Sequence, residues 1–98
     1  MPRKTLFITG ASTGIGEATA RAAVENGWNV GLFARSEDKL NALSEEFGQH
    51  SLALPGDATD FKPQTEAVHT LAEHFVSVDA AFANAGRAFV VHRPDPPE

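Results

Sequence analysis

Thr9-Gly10-Ala11-Ser12-Thr13-Gly14-Ile15-Gly16 is the stretch on which the fold turns. Its three glycines, spaced G-x-x-x-G-x-G, stand between a short apolar strand, Lys4 to Thr9, and a segment of helical character from residue 14 to 26. A strand that ends on such a loop and reopens as a helix is where an α/β sheet holds nucleotide. Gly10 lets the chain leave the strand sharply, Gly14 removes a side chain where a pyrophosphate must approach backbone, and Gly16 allows the helix to pack on the sheet. Unpaired N–H groups at the helix start then face the anion. Ser12 and Thr13 either add hydroxyl donors or simply solvate the loop.

Working outward, Ala18, Ala22 and Ala23 suggest a small-residue face by which the first helix approaches the sheet, and Asn26-Gly27 supplies its left-handed end. Trp28 to Ala34 has apolar residues at both parities, the pattern of a strand covered on both faces. Ser36 is the expected N-cap of a second helix, with Glu37 and Asp38 in the first turn, Leu40, Leu43 and Phe47 on one face, and Gly48 as terminator. Ser51 to Leu54 is a third strand. Asp60 is the expected cap of a third helix that tolerates Pro63 in its first turn and places Val68, Leu71, Ala72 and Phe75 at i, i+3, i+4 and i+7. Val78 to Ala83 is a fourth strand. The order β-α-β-α-β-α-β with short connections predicts a doubly wound, Rossmann-like parallel sheet, α/β in class, with right-handed crossovers and helices on both faces. Residues 1–91 form this partial dinucleotide-binding domain, and 92–98, with three prolines, form a tail.

Ninety-eight residues with 42% hydrophobic content suffice for one core with little surplus stability. The absence of Cys excludes a disulfide framework, a thiolate metal site and a cysteine nucleophile. A net charge of −5 with scattered Lys and Arg offers no stripe for a nucleic-acid backbone, and no apolar run is long enough to span a membrane. The expectation is a soluble, cytoplasmic chain that binds neither nucleic acid nor membrane. His69 and His74, five apart on a helix, point to different faces and make no metal site.

In three places the chain resembles the short-chain dehydrogenase/reductase family. Thr9 to Gly16 reproduces the glycine signature T-G-x-x-x-G-I-G, including Ile15. Asp57, within Gly56-Asp57-Ala58-Thr59-Asp60, is similar to the aspartate that contacts adenine after the third strand, although Asp also forms turns by itself. Ala83-Asn84-Ala85-Gly86 is similar to the N-N-A-G element with its first Asn replaced. The resemblance implies strand order 3-2-1-4 and a nicotinamide dinucleotide held by Gly10, Ser12, Thr13, Gly14, Ile15, Gly16, Asp57, Ala58, Asn84, Ala85 and Gly86. Asn84 then ties strand ends together, and Gly86 lets ribose approach backbone.

The second strand ends on Ala34, where an acidic residue would bond the ribose 2′-hydroxyl of NAD. Arg35 follows, a planar fork of donors suited to a 2′-phosphate, and with Ser36 it favours NADP over NAD; as a bare surface arginine it would favour neither. Members of the resembling family put a basic residue just before the second glycine, where Thr13 stands here. The family's catalytic Ser and Y-x-x-x-K element have no counterpart, since the chain contains no Tyr. Catalytic residues are therefore expected to be absent. The chain reads as the N-terminal portion of a reductase acting on an alcohol or carbonyl, its proline-rich end suiting a shifted reading frame. A non-catalytic nucleotide-binding module, or a subunit completed by a partner, is the alternative. In either case the fourth strand is expected to present a bare apolar edge open to self-association or a partner chain.

Overall fold

Alternation of strand and helix leaves a sheet with one buried seam on each face. The computed structural model describes residues 3–12, 14–57, 61–75, 78–84 and 88–92. Strand β1 (Thr5–Thr9) leads into helix α1 (Gly14–Glu25), β2 (Asn29–Ala34), α2 (Glu37–Phe47), a single 3₁₀ turn (Gly48–His50), β3 (Ser51–Pro55), α3 (Phe61–Phe75), β4 (Ala80–Asn84) and β5 (Ala88–His92). The sheet order is β3-β2-β1-β4-β5. The first four strands are parallel in the expected order 3-2-1-4.

Parity assigns the two faces. Leu6, Ile8, Val30 and Leu32 point to the side of α1 and α2 and pack with Ala20, Leu40 and Leu43. Phe7, Phe33 and Leu54 point the other way and pack with Ala67 and Leu71 of α3. All six residues of β2 are buried, as a strand covered on both faces requires. Gly31 makes room for α3: a Cβ there would stand 2.4 Å from Leu71 Cδ2.

Several local expectations change. Ala18 and Ala22 are exposed, and α1 buries Gly16 and Ala20 instead, with Ala23 and Val24 partly buried against the same cluster. Ser36 holds the N-cap position of α2 without a side-chain capping bond, its carbonyl accepting from Leu40 N at 3.1 Å. On α3 the fully packed positions are Ala67 and Leu71, with Val68 and Phe75 partly buried beside them. Gly27 and Gly48 take the left-handed φ values of 87° and 67° expected of helix ends. The cap expected at Asp60 lies outside the described residues.

The larger correction concerns the edge. The fold does not stop at its fourth strand, because β5 returns antiparallel to β4, pairing Ala80 with His92 and Asn84 with Ala88. A three-residue link suffices for this reversal, whereas a parallel fifth strand needs a crossover of a dozen or more residues. The edge of β4 expected to be bare is therefore filled from within the chain. Strand β5 also runs to His92, where the tail was expected to begin; residues 93–98 lie outside the described set.

Candidate nucleotide-binding site

Parallel strands place all their C-terminal ends on one rim, and register sets the sequence-predicted residues along it. Gly10 follows β1, Arg35 follows β2, Gly56 and Asp57 follow β3, and Asn84 ends β4. Two backbone bonds lock neighbouring ends of this rim: Ala11 N donates to Phe33 O at 3.2 Å, and Gly56 N donates to Ala34 O at 2.9 Å. On the other side of β1, Ile8 pairs with Phe82, so Asn84 comes beside the glycine turn. Helix α1 leaves β1 on one face of the sheet while α3 delivers β4 on the other. The crevice between these strands is the topological switch point at which open α/β sheets bind ligands.

Each glycine of the loop has its own physical reason. Gly10 has φ 65° and Gly14 φ 55°, the left-handed region in which a side chain is strained. A Cβ on Gly14 would meet nothing within 4 Å, so the ground above it is open to a ligand. A Cβ on Gly16 would stand 2.1 Å from the carbonyl oxygen of Gly10. Gly16 thus allows α1 to close on the turn itself, a tighter fit than general packing on the sheet. Ile15, between them, is 60% exposed and is the one large hydrophobic standing exposed among the described residues. An open glycine loop at a helix start, with an uncovered apolar side chain beside it, fits a phosphate-bearing ligand that also carries flat organic groups.

Beside this loop lies a cleft of about 560 Å³ between α1 and α2, lined by Ser12, Gly14, Glu17, Arg21, Lys39 and Glu46 among others. Ser12 is half-buried at its mouth. Arg35 is exposed and makes no ion pair or hydrogen bond to the described residues. Asp57 is half-buried and engaged, on a segment held tightly enough that a Cβ on Gly56 would stand 2.5 Å from the Phe33 ring. Thr13, Ala58, Ala85 and Gly86 lie outside the described residues. Sequence reasoning passed over Lys39; the available signal was its place one turn after Arg35, in the opening turn of α2.

Comparison with known proteins agrees with this fold. The family pattern described as short chain dehydrogenase matches residues 4–96. The chain belongs to the short-chain dehydrogenases. It is similar to a serine 3-dehydrogenase of Agrobacterium fabrum, with 39% identity over 84 residues, covering 86% of this chain and 34% of the relative. It is also similar to an L-rhamnose 1-dehydrogenase (NAD(P)(+)) of a Sphingomonas species, 38% identical over 87 residues, 85% of this chain and 34% of that one. Among solved structures, a 3-ketoacyl-(acyl-carrier-protein) reductase from Brucella melitensis complexed with NADH superposes with a TM-score of 0.75 at 28% identity, covering 80% of this chain and 32% of that chain. A short chain dehydrogenase from Bacillus anthracis gives 0.76 at 26% identity, covering 84% and 34%. The chain thus spans about a third of the length of the curated relatives it matches. What it shares with them is the N-terminal, cofactor-binding region of a family that uses nicotinamide dinucleotides.

Proposed function

We propose that this chain supplies the dinucleotide-binding part of an NADP-dependent oxidoreductase that exchanges hydride between cofactor and an alcohol or carbonyl. The observation that carries this reading is the loop Gly10–Gly16, open at Gly14 and closed at Gly16, on the switch-point rim of the sheet. The backbone N–H groups at the start of α1 face the pyrophosphate, Ile15 covers an apolar part of the ligand, and Asp57 lies toward adenine. Asn84, with Ala85 and Gly86 after it, forms the floor beneath the ribose. The nicotinamide supplies the hydride chemistry when bound. No tyrosine of this chain contributes a proton to it, because the chain has none.

Arg35 supports the preference for NADP. Its guanidinium stands free of described partners just past β2, and that strand ends on Ala34 in place of the carboxylate that would bond a ribose 2′-hydroxyl or repel a 2′-phosphate. Titration of the chain with NADPH and NADH by calorimetry tests the reading. Tighter binding of NADPH is expected, with Arg35→Asp weakening it about tenfold or more, the size of one charge-assisted contact. Equal affinity for the two nucleotides, or an unchanged NADPH affinity in Arg35→Asp, contradicts it.

A further inference from the structure

We propose that Lys39 is a second determinant of dinucleotide choice, reaching from α2 across the mouth of the α1–α2 cleft to the 2′-phosphate; this rests on the NADP reading above. Strands β1, β2 and β3 are mutually parallel, so α1 and α2, which connect them, run in the same direction, with both N-termini at the ligand rim. A bond between Arg21 of α1 and Glu46 of α2, in which both guanidinium NH2 groups engage the carboxylate, marks a common level on the two helices. Gly14 lies seven residues before Arg21, and Lys39 seven residues before Glu46. At about 1.5 Å per residue, each is roughly 10 Å from the bridge in the same direction. Lys39 therefore stands at the level of Gly14, and both line the same cleft together with Ser12.

The charges along this cleft are unequally committed. Arg21 is held by Glu46, by Glu17 at 3.6 Å and by the ring of Phe47, 5.6 Å from its Cζ. Lys39, exposed, makes no ion pair or hydrogen bond to the described residues. A lysine in the opening turn of a helix also opposes the helix dipole, which Glu37 and Asp38 beside it offset. The loop opposite contains no cation from Gly10 to Gly16. An anion entering between Ser12, Gly14 and Arg35 thus finds its second positive charge on α2. A 2′-phosphate is the group that gains, because it projects from the ribose beside the end of β2, whereas the pyrophosphate lies over the α1 N-terminus.

The test compares the 98-residue chain with Lys39→Gln, Lys39→Arg and Arg35→Gln, each titrated with NADPH, NADH and 2′,5′-ADP at two salt concentrations. Lys39→Gln is expected to weaken NADPH and 2′,5′-ADP about tenfold and to change NADH less than about twofold, with a shallower salt dependence for NADPH. Lys39→Arg is expected to retain the wild-type preference. If Lys39→Gln weakens NADPH and NADH alike, Lys39 serves the pyrophosphate and the proposal fails. If Arg35→Gln abolishes the preference while Lys39→Gln leaves it intact, the NADP reading stands and the role of Lys39 is overturned. A wild-type chain without any preference for NADPH overturns both.

Discussion

At the scale of single residues, the second and third glycines of the motif do different work and separate under substitution. Gly14→Ala introduces a side chain into open space at φ 55°, for about 1–2 kcal/mol of backbone strain. Gly16→Ala forces a methyl group onto the Gly10 carbonyl, a backbone atom that cannot step aside. The prediction is a folded Gly14→Ala chain that loses NADPH binding, and a Gly16→Ala chain destabilised by a further 1–3 kcal/mol or so, on the scale of overpacked cores. Urea unfolding followed by nucleotide titration checks both; equal stability of the two variants contradicts this division. These roles were legible in the sequence as a motif with positions. The contact of Gly16 with Gly10 was not, because it depends on how closely α1 folds back over the turn.

At the scale of elements, the seam between β2 and α3 rests on Gly31 and Leu71. Leu71 is fully buried and occupies the place that a Gly31 side chain would take. Gly31→Ala is expected to destabilise by about 1–3 kcal/mol and Leu71→Ala by about 2–5 kcal/mol. The double variant should cost less than the sum, since each change relieves what the other creates. Additive values would place the clash elsewhere. Strand and helix positions were readable from hydrophobic period, since β2 is apolar at both parities and α2 buries the face that Leu40 and Leu43 mark. The buried face of α1 was not readable. In a helix so rich in alanine, the contrast between faces is weak, and Ala18 and Ala22 read as well as Ala20 until the sheet chooses.

At the scale of the whole molecule, the parallel order 3-2-1-4 follows from right-handed crossovers, whereas the hairpin that adds β5 does not. Residues 88–92 carry strand-forming side chains in sequence, but their direction is decided by a link too short for a crossover. The consequence is that β4 has a neighbour on both sides. A chain ending at residue 86 would expose the β4 edge and is expected to self-associate or aggregate, read by light scattering after size-exclusion chromatography, while the 98-residue chain does so less. Identical behaviour of the two would mean that β5 contributes nothing to covering that edge.

The central claim is that the C-terminal rim of the parallel strands holds the dinucleotide. Opposite that rim lies a separate polar cluster, in which Arg3 donates to Asn29 Oδ1 at 3.1 Å and to Trp28 O at 2.7 Å, and His50 Nδ1 lies 3.2 Å from the same Asn29 oxygen. These two ends make a direct internal comparison. In an amide-resolved NMR titration with NADPH, the largest shifts are expected at Gly10 to Gly16, Arg35, Gly56, Asp57 and Asn84, with Trp28, Asn29 and His50 unmoved. Shifts centred on the Trp28–Asn29–His50 end, or no saturable shift along the rim, would contradict the account.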